Sequence, residues 1–354
     1  MELTAEQQAL RDAVRGLLAD HHDDSSLWRR LGEMGVAALA IPERYGGAGA
    51  GPVETHITAE ELGRDLIPSP LLGSAVLAAQ ALLASGDDPA CARLLPAIAD
   101  GGVASLAWTT AAGHWDPAEV ACRATAAAHD WTLNGEARYV LDGDTAGILL
   151  VAAGTRDGIG LFEVDPAQAA VSRSAVTTVD ATRAMATIRL DGAAGLRIGG
   201  QAPEALARAR DLACLALSAE QVGAARRALD MTIDYTKIRV QFGRVIGGFQ
   251  ALQHRMADLH VLVESARSLS YAAAQAAGEG APDTGRRAAA AKVYCSEVLQ
   301  RVAAETIQLH GAIGITWEHD AHRYLKRAHG AAQLFGRPSE HLARIAAEVI
   351  DRRS

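Results

Sequence analysis

Apolar residues recur at three- and four-residue steps over the first hundred positions and again after Pro203, so both ends of the chain are predicted to be helical. In "LTAEQQALRDAVRGLL", Leu10, Val14, Leu17 and Leu18 share one face, and Thr4 is placed to cap the helix with Gln7 three residues on. The Pro- and Gly-rich "IPERYGGAGAGP" (41–52) is predicted to be a loop, after which "VETHITAEELGRDLI" resumes helical spacing and "PSP" ends it. Between about 101 and 200 the pattern changes to short β-prone runs. "WTLNGEARYVL" reads as a hairpin around Asn134-Gly135, "GILLVAAGTRDGIGLFEVD" as another around Asp157-Gly158, and "MATIRLDG" as a further strand ending in an Asp-Gly turn. These strands are too short to stand alone.

After Pro203, Leu212, Leu215, Ala219, Val222, Leu229 and Ile233 continue the helical spacing. Leu252, Met256, Leu259 and Val263 follow, then Ala291, Val298, Val302 and Leu309. Helices of roughly 25 to 30 residues, about 40 Å long and joined by short connections, predict antiparallel neighbours in a four-helix bundle. The expected fold class is therefore α+β and mostly α: an N-terminal helical domain (1–100), a middle antiparallel β-domain (101–200) and a C-terminal four-helix bundle (201–354).

Composition narrows the function classes. The 354 residues carry 49% hydrophobic side chains and a formal net charge of −8, with 34 Lys+Arg dispersed among 42 Asp+Glu. Neither nucleic acid nor an anionic membrane is an expected partner. Cys91, Cys122, Cys214 and Cys295 form no CxxC pair, which predicts reduced core thiols rather than a disulfide framework or zinc site. No apolar run approaches the roughly 18 residues of a membrane span and the N-terminal stretch has no signal-type apolar core, so a cytoplasmic location is expected.

Two stretches could carry chemistry. "DYTKIRVQFGRVIGGFQ" (234–250) interrupts the longest helical pattern and is expected to expose Arg239, Gln241 and Phe242 at a bundle end. A guanidinium fork suits phosphate, an aromatic can cover a ring, and an amide both donates and accepts. The same stretch also reads as a plain helix–helix corner. In "ETIQLHGAIGITWEHDAH" (305–322), Gly311 and Gly314 fit helix termination, yet they also leave room for a ligand beside Gln308 and His310. His319, His322, His329 and Glu318 are a weak metal pattern, so no metal is expected. No nucleophile elbow or GxGxxG loop is present.

In these two segments and their order the chain resembles the acyl-CoA dehydrogenase family. "RVQFGRVIGGFQALQHRMADL" is similar to its R-x-x-F-G/Q-F-G signature followed by F-Q and A-D-M/L, and "QLHGAIGIT" to its Q-x-x-G-G-x-G stretch. "IPERYGGAGAGPVETHITAEELGRDL" is similar to its P-E-x-x-G-G and E-E-x-G motifs, and "LNGEARYVLDGDTAGILLVAA" to its N-G-x-K-x-x-I/V-T region. The resemblance implies FAD held across a subunit interface. By position Arg239 would meet the pyrophosphate, with Gln241 and Phe242 flanking it. Gln308, Leu309, His310, Gly311 and Ala312 would line the ADP portion, with Phe249, Gln250 and Gly314 completing the cofactor-binding set.

The catalytic part of the pattern is altered. The reaction needs a carboxylate to take the α-proton. Where many members have this Glu, in a Y-E-G-T segment, this chain has Phe335 followed by Gly336; where a second group has it, upstream of the arginine corner, it has Ala213. Asp211 lies two residues from that position, about 200° around the helix. The flavin-side T-E-P-x-x-G-S-D becomes "TTAAGHWD" (109–116), keeping Thr110, Gly113 and Asp116, and W-[IF]-T becomes "YVL" (139–141).

The chain thus resembles the base-lacking subunit of actinobacterial α2β2 acyl-CoA dehydrogenases that act on steroid-derived, bulky acyl-CoA. The expected partners are a homologous subunit carrying the Glu, the acyl-CoA substrate and an electron-transferring flavoprotein. Three alternatives stay open: a homotetrameric enzyme using Asp211 or Glu220 as base, a catalytically silent regulatory scaffold, and, less favoured, a flavin-dependent monooxygenase on the same fold.

Overall fold

Thr4 and Gln7 form the reciprocal cap that their spacing predicts: the Gln7 amide N–H donates to Thr4 Oγ1 at 3.2 Å, and the Thr4 N–H donates to Gln7 Oε1 at 3.1 Å. From that cap the computed structural model describes residues 3–21, 26–127, 130–200 and 202–351. The first helices are α1 (Ala5–His21), α2 (Leu27–Glu33) and α3 (Pro52–Arg64). A buried π-helical segment (Leu71–Ala78), α4 (Ala79–Ala84) and α5 (Asp88–Ala99) follow. The strands are β1 (Ala104–Ala107), β2 (Cys122–Ala126), β3 (Trp131–Leu141), β4 (Ile148–Thr155), β5 (Gly158–Val164), β6 (Val171–Ala175) and β7 (Met185–Ile198). Then come α6 (Ala202–Ile238), a two-residue ladder of β8 (Val240–Gln241) and β9 (Arg244–Val245), α7 (Gln250–Gly278), α8 (Thr284–His310), α9 (Ala321–Gln333) and α10 (Pro338–Asp351).

The chain divides into two compact units. One comprises Met1–Leu17, His56–Ile67 and Cys214–Ser354, and the other Leu18–Thr55 and Pro68–Ala213. In the first, α8 packs against α7, α9 and α10, and a core of Val222, Leu229, Val263, Leu299, Val302 and Tyr324 fills the bundle. The fourth bundle position is shared by α9 and α10, because the chain turns at Leu334–Arg337. α3 crosses α6 at backbone contact. A Cβ on Gly63 would stand 2.1 Å from the Glu220 carbonyl oxygen, and one on Gly223 1.9 Å from that of Glu60. Only glycine fits either position.

The second unit carries the sheet. Strands β4, β2, β3, β7 and β5 pair in a closed ring, since β5 also pairs β4; β1 extends it from β4 and β6 from β7. Closure removes the exposed edges that such short strands could not protect. Most ladders are antiparallel, but β4 pairs β1 and β2 in parallel. Asp157-Gly158 stands at the β4–β5 connection as expected.

Asn134-Gly135 and Asp191-Gly192 are not turns, a correction to the sequence reading. Both lie inside long strands, where β3 and β7 face each other across a register shift: Leu133 pairs Ala193, Asn134 pairs Asp191, and Gly192 is the extra residue. Gly192 has φ +74°, and its N–H donates to Asn134 Oδ1 at 2.8 Å. The dipeptides that favour a hairpin also supply the positive φ of a bulge.

Candidate functional site

In the first unit the last turn of α6 runs into the β8–β9 hairpin. Phe242 and Gly243, at φ +52° and +77°, make its two-residue turn, and such mirror-image turns need two positive φ values. The hairpin is tied back by Ile246 N–H donating to the Arg239 carbonyl at 2.8 Å and by Gln253 Nε2 donating to the Gly247 carbonyl at 2.9 Å. Phe249 caps α7, and the Arg244 guanidinium lies 3.9 Å above its ring. All residues from Arg239 to Val245 are exposed, with Phe242 at 92%. The guanidinium of Arg239 and the amides of Gln241 and Gln308 make no hydrogen bond or ion pair to any described residue.

The glycine stretch is joined to this corner through Tyr235, whose ring stacks on His310 at 4.4 Å and whose hydroxyl donates to the His310 carbonyl at 3.3 Å. His319 packs beside them, 4.3 Å from His310 and 6.3 Å edge-on from Tyr235. His310 Nδ1 lies 2.7 Å from the Thr306 carbonyl, which can only accept, so the proton sits on Nδ1. Nε2 is then a bare acceptor, buried and without a partner. Burial, more than the neighbouring His319, holds the imidazole below its ordinary pKa against the pull of the Thr306 carbonyl. Leu309, His310 and Gly314 point into the bundle, whereas Gln308, Gly311 and Ala312 are exposed. Gly311, at φ +64°, ends α8 with open space where a side chain would stand. His319 and His322 are engaged with aromatic rings, and among the described residues no group of three or more His, Cys, Asp or Glu is placed to hold a metal.

The two positions that the resemblance assigns to a base are apolar. Phe335, in the first unit, is 0% exposed with φ +59°, and Ala213, in the second, is also buried. Cys214, the next residue on α6, has Sγ 3.8 Å from the Phe335 carbonyl oxygen and 3.7 Å from His341 Nε2. The carboxylates nearby in sequence are committed elsewhere. Glu220 is buried in an ion pair with Arg327 of α9. In the second unit Asp211 faces Arg210 at 3.4 Å, and Arg210 also reaches the Trp115 carbonyl at 3.5 Å.

The altered loop of the second unit is built around two buried tryptophans. Trp108 and Trp115 meet edge to face at 5.6 Å, and Trp108 Nε1 donates to the carbonyls of Asp116 and Glu119 at 3.2 and 3.1 Å. The retained residues serve the loop itself: the Thr110 carbonyl accepts from Gly113 N–H at 3.0 Å, and Asp116 Oδ1 accepts from Ala118 N–H at 2.9 Å. Thr109 is tied to Arg138 by a hydrogen bond from its hydroxyl and another into its carbonyl. Tyr139 and Asp142 then take positive φ, +57° and +53°, around the "YVL" segment.

Sequence reasoning missed Lys292. Its Nζ is fully buried and donates to Ser296 Oγ at 3.1 Å and to the carbonyls of Ala331 and Ala332 at 3.0 and 3.2 Å, so an ammonium caps the C-terminal end of α9. That cap fixes the helix end just before Phe335. A lysine in the Ala-rich run "RRAAAAK" gave no sign of it.

Comparison with known proteins gives a consistent result. The family model described as acyl-CoA dehydrogenase, N-terminal domain, matches residues 4–102, and the C-terminal domain model matches residues 204–350. The chain is 40% identical over 360 residues to acyl-CoA dehydrogenase IpdE2 of Mycobacterium tuberculosis, covering 97% of both chains. Among solved structures it superposes on the Tcur3481-Tcur3483 steroid ACAD G363A variant with a TM-score of 0.89 at 32% identity, covering 98% of both chains. It also superposes on the ChsE4-ChsE5 complex of M. tuberculosis with a TM-score of 0.90 at 28% identity, covering 99% of this chain and 98% of the other.

Proposed function

Because this chain belongs to the acyl-CoA dehydrogenase family, we propose that it is the base-lacking subunit of a heteromeric, FAD-dependent enzyme of that family. Its substrate would be a bulky, steroid-derived acyl-CoA, and a homologous partner would carry the catalytic Glu. One observation carries this reading. Phe335 and Ala213 occupy the base positions, while Glu220 and Asp211 are each engaged by an arginine. Similarity to a steroid ACAD and to the two-chain ChsE4-ChsE5 complex supports the substrate class and the partner.

The residues of the hairpin corner fit the nucleotide tail of FAD, since Arg239, Gln241 and Gln308 are exposed with unengaged donors and Gly311 leaves open space at the end of α8. Arg239 would bind the pyrophosphate, and Gln308, Gly311 and Ala312 would face the ADP portion. Buried Leu309 and His310 would contribute backbone and support rather than side-chain contacts. FAD, when bound, supplies the hydride acceptor. Exposed Val240, Phe242, Ile315 and Trp317, in the same two segments, give a partner apolar surface to cover. With no carboxylate at the base positions, this chain alone would forgo a contribution of about 10² to 10⁴ in rate.

Expression of the chain by itself tests the proposal. Substoichiometric flavin and no acyl-CoA turnover are expected, and full FAD occupancy with turnover would overturn it.

A further inference from the structure

A cleft of about 360 Å³ opens in the first unit between α1, α3, α6 and α7, and five arginines line it: Arg11, Arg15, Arg64, Arg226 and Arg267. Their carboxylate partners number four. Arg15 is held by Glu61 in two hydrogen bonds of 2.9 and 2.8 Å, and Arg267 by Glu60 at 3.0 Å. Arg226 takes both Asp230 at 3.1 Å and Glu264 at 2.8 Å. Arg64 is left 3.6 Å from Asp230 with no side-chain hydrogen bond. Arg11 donates through Nη2 to the Tyr271 hydroxyl at 2.7 Å, while its Nε is buried without an acceptor and its closest carboxylate oxygens, of Glu61 and Glu60, are 3.7 and 3.9 Å away.

A network that only braced α1 and α3 against the bundle would account for the Arg15–Glu61 and Arg267–Glu60 pairs. It leaves two under-satisfied guanidiniums on one opening, where partly buried charge is costly unless an anion completes it. Glu60 adds a second requirement. Its Oε2 is buried in the same cleft, 3.9 Å from Arg11 Nη2 and with no hydrogen bond of its own by geometry, although the Tyr271 hydroxyl also interacts with this carboxylate, so an occupant with a donor can complete it. Burial pushes this carboxyl up, but Arg267, His56, Tyr271 and Arg11 together hold it below its ordinary pKa, leaving an ionised acceptor.

We propose that the cleft binds a compact phosphate-class anion: Arg64 and Arg11 take its oxygens through their planar forks, and Glu60 Oε2 accepts from its remaining hydroxyl. Monohydrogen phosphate carries two negative charges and one P–OH, and a dianionic phosphate monoester, which has no P–OH, meets the same requirement only through a hydroxyl of its organic group. The volume lies at the low end for small-molecule sites, and the acidic walls of Asp230 and Glu264 disfavour a longer polyanion. The site shares no residue with the Arg239 corner and does not rest on the proposed subunit role.

Calorimetric titration of the full chain with inorganic phosphate, sulfate and glycerol 3-phosphate, at constant ionic strength in chloride, tests the proposal. Saturable phosphate binding at least tenfold tighter than sulfate, which has no hydroxyl donor at neutral pH, is expected. Glycerol phosphate binding more tightly than phosphate would identify a monoester as the occupant, and glycerol phosphate binding more weakly would identify the free ion. Arg64→Gln is expected to weaken phosphate at least tenfold and Arg239→Gln to leave it unchanged; Arg64→Lys, which keeps the charge and loses the fork, guards against a folding defect. Phosphate no tighter than sulfate or chloride, or binding lost with Arg239→Gln and kept with Arg64→Gln, would overturn the site.

Discussion

The imidazole Nε2 of His341 lies 3.0 Å from the carbonyl oxygen of Phe335 and donates to it, pinning the turn between α9 and α10. Both residues of that turn are left-handed, Phe335 at φ +59° and Gly336 at +107°. An aromatic residue held there is strained, and such conformations persist only where the surroundings enforce them. Phe335→Glu would bury a carboxylate in a site packed around an aromatic ring, at a left-handed backbone position. Loss of roughly 3 kcal/mol of stability or more is expected by denaturant titration, with no gain of turnover in the isolated chain.

Glu220 and Asp211 are the rival bases, and their pairing separates structure from chemistry. Glu220→Gln strands the buried Arg327 and is expected to cost about 3 to 5 kcal/mol. Asp211→Asn, in a pair with Arg210 whose side chains are only 12% and 14% exposed, is expected to cost about 1 to 3 kcal/mol. Neither substitution is expected to lower the turnover number of the folded complex with its partner by as much as tenfold, measured below the melting temperature.

The α3–α6 crossing tolerates no side chain. Gly223→Ala puts a Cβ into the Glu60 carbonyl, and a loss of at least about 1 to 3 kcal/mol is expected from overpacking. Chemical denaturation of this variant beside Gly16→Ala, at an exposed glycine of α1 with open space at its Cβ, checks that the effect is one of contact.

Lys292 links stability to alkaline pH. Burial lowers its pKa from 10.5 to about 8, so above pH 8 the folded chain has shed a proton that the unfolded chain keeps, and stability rises with pH. The buried thiols Cys91, Cys122 and Cys295 are pushed up, and their titration in the unfolded chain opposes the rise from about pH 8 upward. Between pH 8 and 9 the two effects nearly cancel, so Lys292→Met is expected to lose about 1 kcal/mol more stability across that unit than the unaltered chain, read from melting curves.

His56 acts at the acid end. Burial lowers its pKa from 6.5 to about 4, so between those values the unfolded chain binds the extra proton and stability falls as pH drops through the window. The loss at pH 4 amounts to roughly 3 kcal/mol, and His56→Gln is expected to flatten it.

Much of this molecule was legible in its sequence, and the limits follow from range. The Thr4–Gln7 cap, the long helices and the corner at 239–250 depend on residues within a turn or two of each other, so their periodicity declared them. Asn134-Gly135 and Asp191-Gly192 misled because the same positive φ serves a hairpin or a bulge, and only the pairing of β3 with β7 decides between them. Lys292, His56 and the Gly63–Gly223 crossing were invisible for a related reason. Each owes its role to a partner that lies dozens of residues or more away, and a lysine or glycine looks alike in either setting. At the candidate site the residue types of the corner announced their exposure, whereas the Trp108–Trp115 core of the altered loop and the Arg327 partner of Glu220 appear only once the chain has folded.

The division of labour between this chain and a homologous partner is tested most directly by the flavin content of the purified two-chain complex when only this chain carries Arg239→Gln. One FAD per pair of unlike chains in the unaltered complex and its loss in the variant are expected, although the catalytic carboxylate would lie in the other subunit. Full flavin and undiminished turnover with Arg239→Gln would contradict it.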